Sequence, residues 1–495
     1  MPLHDLTAVE QGAALARGEV AALDLVEHYL ARIRALDAGL AAFVTVNAEQ
    51  ARARATVAQR AGGPLAGVPV AVKDMTATAG LATRYGSAAF ADQIPTADAD
   101  VVTHLREAGL VLLGKTATAE LGLSLVVDDR FGRPVGNPWQ PHLSCGGSSG
   151  GSAVAVAAGL APVATGTDVA GSVRVPAAMC GLVGYKPARG TVSWGPGGLQ
   201  HVGLATNGVL ARTVADAAAM LDVLSRPAPG EPYPAPTPPP RGHLDVVRRP
   251  DSALPRRLRI GQFTEPIISD ATVHPDCVAA LDRTIDVLVA AGHDVVEVKL
   301  SVDRSFAAAL DAVLAALVAA VPVPERHEPL LREYTRRWRG RGAEVSAVAF
   351  VQAVTTLQQA AAAAAARLSH VDLLLCPTVS TPYLPVDRGC DCPDRPAAPV
   401  VRPRDREISP YCAWFNVSGA PAVSLPVHIT ADGVPVGVML GGVALAGPGN
   451  VDAQLLAVAA EVERAVPWRH RHPAVWHRSE RPTGAAGATG CLATM

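Results

Sequence analysis

Apolar residues recur at helical spacing over residues 6–17 and 21–36, with Asp24-Leu25-Val26-Glu27-His28-Tyr29-Leu30 the clearest case, and again over 51–61. A compact apolar run, Val68-Pro69-Val70-Ala71-Val72, then reads as a buried strand ending on Lys73. Residues 101–109 form a helix closed by a glycine, followed by the short strand Leu110-Leu113. Ala153 to Ala158 reads as a closely packed helix, and 214–224 as another, stopped by Arg226-Pro227. Residues 227–255 are proline-rich and nearly free of apolar periodicity, which predicts a surface excursion inside one domain. Strand character returns at 258–263, helices dominate 274–290 and 305–368, and strands follow at 371–377, 422–429 and 436–441. Helix alternating with apolar strand predicts an α/β fold, a sheet covered by helices on both faces. One large domain is expected over residues 1–480, its central motif at 66–190, and the small polar tail 481–495 reads as disordered.

Mean hydropathy is high, at +0.22. The most apolar candidate span, Ala312 to Val321, is ten residues long and too short for a bilayer. The acidic, amphipathic N-terminus lacks the basic and apolar parts of a signal peptide, so a cytoplasmic protein without a membrane partner is expected. A net charge of −2, with no long run of one sign, argues against nucleic acid and leaves a small molecule as the natural partner. Eight scattered cysteines make no disulfide framework. The Cys390/Cys392 pair has no second cysteine pair or histidine cluster beside it, so neither a metal nor another cofactor is expected. Lysine usage is more informative, because only Lys73, Lys115, Lys186 and Lys299 stand against 39 arginines. A lysine kept under that bias points to something arginine does not do, such as losing its proton near neutral pH. Lys299 sits in an alternating segment, 294–300, where a solvated role is sufficient, whereas Lys73 ends a buried strand.

The densest chemistry lies in 144–176, SCGGSSGGSAVAVAAGLAPVATGTDVAGSVRVP. Glycines at this density mark backbone at positive φ or pressed against a neighbour. A second tight turn is expected at Gly166-Thr167-Asp168-Val169-Ala170-Gly171-Ser172. The formal G-x-S-x-G pattern occurs twice, on Ser148 and Ser149, but Asn137-Pro138-Trp139-Gln140-Pro141-His142 before it reads as loop, where a nucleophile elbow needs a strand. No G-K-[ST] follows the glycines, which argues against a phosphate loop.

From Gly146 to Pro187 the chain resembles the defining segment of the amidase signature family, and the resemblance extends almost end to end. It takes in Asp5-Leu6-Thr7-Ala8, Gly67 to Asp74, Gly114-Lys115-Thr116, Gly136-Asn137-Pro138-Trp139, Pro377-Thr378 and Asn416 to Ala422. That resemblance implies a mixed, twisted sheet and an amidase acting on a small-molecule amide, and leaves a homodimer open. It puts the nucleophile on Ser172, a bridging serine on Ser148 after a cis peptide, and the base on Lys73. It makes the backbone N–H groups of Val169, Ala170, Gly171 and Ser172 the oxyanion hole, with Ser149, Thr167, Asp168 and Arg174 bracing the turn. Many members carry glycine where this chain has Ala170, and an intact hole is nevertheless expected. The acyl pocket is expected from 121–129, 193–202, the helix near 310–320 and 411–416. Leu123, Trp194, Tyr411, Trp414 and Phe415 would make it apolar and aromatic, suited to an aryl or medium-sized apolar acyl group. Two other readings stay open: an amidotransferase subunit releasing ammonia from glutamine for a partner, and a non-catalytic metabolite-binding relative.

Overall fold

A computed structural model describes residues 2–128, 133–197, 201–226, 230–233, 236–254, 257–303, 305–386, 403–444 and 450–478. The expectations for the tail beyond residue 480 and for Cys390 and Cys392 lie outside these residues. One mixed sheet of eleven strands organises the chain. In sequence these are β1 (Phe43–Val46), β2 (Pro69–Lys73), β3 (Val111–Thr116), β4 (Val163–Asp168), β5 (Val183–Lys186), β6 (Thr206–Ala211), β7 (Arg259–Gln262), β8 (Asp294–Glu297), β9 (Leu373–Pro377), β10 (Ala422–Ile429) and β11 (Pro435–Gly442). Their order across the sheet is β1-β3-β2-β4-β6-β5-β10-β11-β9-β7-β8. β2 runs parallel to both β3 and β4, and β7 parallel to β8 and β9; the other pairs are antiparallel. Every residue of β2, β3, β4, β5, β6, β9 and β11 is buried, as a sheet covered on both faces requires. The expected single α/β domain is what forms.

The apolar runs of β2, β9, β10 and β11 announce themselves, but β4 and β6 do not. Gly166, Thr167 and Asp168, expected in a turn, complete β4, and the turn begins only at Val169. Their glycines serve close approach: a Cβ on Gly166 would stand 2.8 Å from Val173 Cγ2, and one on Gly208 in β6 2.5 Å from the Tyr185 carbonyl oxygen.

Helix Gly150–Ala157 is buried along its whole length. A Cβ on Gly151 would stand 2.4 Å from Ala117 N and 2.6 Å from both Ala117 O and Ala42 O, so this glycine lets the helix press onto the backbone after β3. The expected surface excursion at 227–255 is anchored instead. It contains helix His243–Arg248, which buries His243, Leu244 and Val246 and is fastened by His243 N–H to Asp222 Oδ1 at 2.6 Å. The region 305–368 divides into helices Ser305–Ala319, Glu333–Ala343 and Ala347–Arg367. Among the described residues, Ala347–Arg367 is the one helix long and apolar enough to cross a membrane by length and composition; it packs on Ser305–Ala319 through a face that buries Ala353, Leu357 and Ala364.

Two glycines therefore answer oppositely to the same substitution. Gly151→Ala drives a methyl group into backbone atoms and is expected to cost about 3 kcal/mol or more. Gly39→Ala, at an open position near the end of helix Ala22–Leu40, is expected to be neutral or to stabilise by up to about 1 kcal/mol. Thermal unfolding of both variants beside the parent measures the contrast.

Candidate active site

β2 ends by delivering Lys73 into the interior, where its side chain has no exposure to solvent. Its Nζ lies 2.8 Å from Ser148 Oγ, 2.7 Å from Thr167 Oγ1 and 3.3 Å from the Thr167 carbonyl oxygen. Burial pulls the amine down from 10.5 to about 7, against a smaller opposing pull from the Asp168 charge. Ser148 follows a cis Gly147-Ser148 peptide and is itself buried. The glycine before it is required by space, since a Cβ there would stand 2.4 Å from the Ser124 carbonyl oxygen.

Ser172 lies on the turn after β4, partly exposed, and lines the same cavity as Ser148. Ser149 ties the two serine segments together: its N–H donates to Ser172 O at 3.1 Å and its hydroxyl to Thr167 O at 3.3 Å. The turn is braced from below by Asp168 and Arg174, both wholly buried. Arg174 Nη2 donates to Asp168 Oδ1 at 2.8 Å and Nε to Oδ2 at 3.0 Å, a bidentate pair. Asp168 also accepts the N–H groups of Gly171 at 2.8 Å and Val173 at 3.0 Å. Burial alone would raise the Asp168 carboxyl, but the Arg174 guanidinium outweighs it and holds the group well below the usual carboxylate range.

Asn416 completes this network, although the sequence reading put it in a pocket wall. Its Nδ2 donates to the Asp168 carbonyl oxygen and to Asp168 Oδ1, both at 3.0 Å, and its Oδ1 accepts from Arg174 Nη2 at 2.7 Å. Of the four backbone N–H groups expected in the oxyanion hole, that of Gly171 is committed to Asp168. Those of Val169, Ala170 and Ser172 meet no acceptor among the described residues and border the cavity. The positive φ of this turn, 120°, falls on Gly171 and not on Ala170, which explains why alanine is accommodated there. A Cβ on Gly171 would stand 2.7 Å from Cys412 Cβ.

The cavity above the serines holds about 560 Å³ and is mostly apolar. Leu123 and Trp194 line it as expected. Tyr411, Trp414 and Phe415 do not, and that part of the reading is corrected. Tyr411 is buried with its hydroxyl donated to Thr264 O at 2.6 Å, Trp414 packs against Phe306, and Phe415 sits under the Arg174 guanidinium at 5.8 Å. Large apolar side chains are as often core as lining, and sequence spacing does not tell the two apart. The expected helix near 310–320 does supply Leu310, Leu314, Leu317 and Val318, while Met75, Ile268, Tyr334 and Trp338 were not foreseen. Neither histidine nor cysteine occurs among the described residues that line the cavity.

The family model described as Amidase matches residues 24–448, and the chain belongs to the amidase signature family. It is accordingly an amidase, a hydrolase of amide bonds. The 6-aminohexanoate-cyclic-dimer hydrolases of Paenarthrobacter ureafaciens and of Pseudomonas sp. (strain NK87) are 35% and 36% identical to it, each over 96% of this chain and 97% of the relative. The solved structure of 6-aminohexanoate cyclic dimer hydrolase complexed with substrate superposes with a TM-score of 0.87 at 33% identity, covering 96% of this chain and 100% of the other. A bacterial aryl acylamidase of the same family shares the fold, with a TM-score of 0.82 at 24% identity over 97% of this chain and 100% of the other.

Removing one partner of the buried pair leaves an uncompensated charge, so Arg174→Met is expected to cost about 3–5 kcal/mol, and Asp168→Asn/Arg174→Met less than the sum of its parts. Because the folded Asp168 carboxyl is depressed, its contribution is complete above about pH 4 and disappears as pH falls below that. Denaturant unfolding of the single and double variants between pH 3 and 8 reads both effects.

Proposed function

We propose that the protein hydrolyses carboxamides with an apolar acyl group through an acyl-enzyme on Ser172. Neutral Lys73 takes the proton of Ser148 while Ser148 takes that of Ser172, and Ser172 Oγ adds to the substrate carbonyl carbon. The backbone N–H groups of Val169, Ala170 and Ser172 stabilise the negative oxygen that forms, each donor worth roughly 3 kcal/mol in comparable sites. When the C–N bond breaks, the proton held by Lys73 returns through Ser148 to the leaving nitrogen. Water then attacks the ester by the same relay and releases the carboxylic acid and free Ser172. Thr167 orients the Lys73 amine so that its lone pair meets Ser148, and Ser149, Asp168 and Arg174 hold the turn.

The observation that carries this reading is the 2.8 Å contact between Ser148 and a fully buried Lys73 whose amine titrates at about 7. An ordinary lysine is protonated at neutral pH and takes up no proton; burial lowers this one to about 7 and so favours the free base. The mostly apolar cavity favours an alkyl or aryl acyl group over the polar side chain of glutamine, and the names of the similar hydrolases fit the same direction. Release of ammonia from glutamine alone would point to the amidotransferase reading.

Lys73→Ala, Ser148→Ala and Ser172→Ala are each expected to lower kcat/KM on apolar amides by at least about 1,000-fold while remaining folded. Fluorophosphonate labelling is expected at Ser172 in the parent and to vanish in Ser172→Ala. The sign of the pH dependence follows from the depressed amine: below about pH 7 Lys73 is charged and kcat/KM falls about tenfold per unit, and above it the rate levels off. A profile flat from pH 5.5 to 8.5 rules out Lys73 as the base.

A further inference from the structure

A second cavity, of about 310 Å³, lies beside β3 and shares no lining residue with the catalytic one. Leu110 and Leu112 form one side of it. The other is a face of helix Ala48–Ala58 on which Ala51, Arg54 and Ala58 recur at helical spacing, and Ala61, just past the helix, continues it. Leucines at these alanine positions would fill the gap between helix and strand, so the choice of side chain leaves the space open. Its size is at the lower end of the range for small-molecule sites.

Arg54, Arg60 and Arg106 border this apolar space, and among the described residues no carboxylate does. Elsewhere on the surface arginines are matched to acids, as Arg17 is to Glu19, Arg52 to Glu27 and Arg226 to Glu107. Arg54 and Arg60 have no such partner among the described residues, since Glu27 and Glu107 are engaged and Glu49 acts on Arg52. Arg106, on helix Asp100–Glu107, is mostly buried, and Asp100 on the same helix already accepts from Ser193 at 2.6 Å. The Arg106 Nε stands 3.1 Å from Asp98 Oδ2 but out of hydrogen-bonding geometry, so its buried N–H meets no acceptor among the described residues. Asp98 in turn lines the catalytic cavity and accepts the N–H of Ala79 at 2.7 Å, which fastens the segment 75–99 in that cavity's wall. One ion pair therefore stands between the two cavities.

A guanidinium meets a carboxylate through two parallel N–H bonds, and apolar walls that exclude water strengthen the contact. A cation would be repelled here, and a neutral group would leave the donors without a charged partner. We propose that the cavity is a second binding site, for a small monocarboxylate with an apolar body, the class of product that hydrolysis of an amide releases. This rests on amide hydrolysis and is independent of which group is the nucleophile. An anion on Arg106 competes with Asp98 for it and loosens the hold on Ala79. Occupancy thus weakens amide binding, and bound amide weakens the carboxylate by the same factor.

Equilibrium dialysis counts 4-phenylbutanoate bound per chain, with hexyl phosphate and inorganic phosphate measured beside it. The parent is expected to hold one carboxylate more than Arg54→Gln/Arg60→Gln, in which this site is weakened at least about tenfold. Both arginines are exposed, so the variant is expected to fold and to keep the parent's KM for an apolar amide when no carboxylate is added. Arg54→Lys/Arg60→Lys, which keeps the charge and loses the planar fork, retains part of the binding. Saturating carboxylate is expected to raise the parent's KM about fivefold more than the glutamine variant's. Equal binding by parent and glutamine variant overturns the proposal, as does an equal rise in KM, which is competition in the catalytic cavity. Tighter binding of either phosphate overturns it too, by assigning the site to another anion. Failure of the Ser172 assignment leaves the dialysis count as it is, so the two are decided separately.

Discussion

Asp168 and Arg174 lie on either side of the turn that carries Ser172, and neither touches water. Two full charges in such a place are tolerable only when every lone pair and every N–H is matched, and here the matching is done by the turn itself. Gly171 and Val173 give their N–H groups to the carboxylate, Asn416 fills the space between, and the guanidinium reaches the Cys412 carbonyl at 3.0 Å. The chain between residues 168 and 174 thus has little freedom, because any other path would strand a buried charge. Preorganisation of the backbone around Ser172 is a by-product of satisfying that pair.

The same dryness acts on Lys73. A charged amine at the end of β2 would need its own counter-ion, and Asp168, the nearest one, is already spent on Arg174. Burial lowers the amine to about 7 and the Asp168 charge offsets only part of that, which is what the proposed role as base needs. Chemistry and selectivity are separated in the fold: the sheet and helix Gly150–Ala157 hold the polar cluster, while segments 75–99, 121–125, 193–197, 310–318 and 334–338 supply most of the cavity wall. The wall can vary without disturbing the cluster.

Much of this was readable from the chain alone, and the failures have physical causes. Strands buried on both faces read as apolar runs, and the scarcity of lysine drew attention to Lys73. Lys115 and Lys186, under the same bias, are also wholly buried, and Lys115 holds the Thr76 carbonyl and the Thr83 hydroxyl, both at 2.8 Å. β4 and β6 escaped because glycine, aspartate and asparagine carry turn propensity, which pairing on both edges overrides. The pocket was half legible: residues on helix Ser305–Ala319 and near 121 and 194 were anticipated, but whether Tyr411, Trp414 or Phe415 faces a cavity or a core depends on a rotation about the helix that composition does not encode. Asn416 lay in a recognisable motif, but its partners Arg174 and Asp168 stand 242 and 248 residues away along the chain and did not follow from it.

The distribution of lysine has one more consequence. Three of the four ε-amines are sealed inside, while Lys299 is 71% exposed beside β8, the last strand at the far edge of the sheet from β2 and β4. To an acylating reagent or an aldehyde-bearing support the folded molecule offers a single side-chain amine. Coupling through side-chain amines is thereby confined to one place, at the edge of the sheet remote from the strands that lead to Lys73 and Ser172.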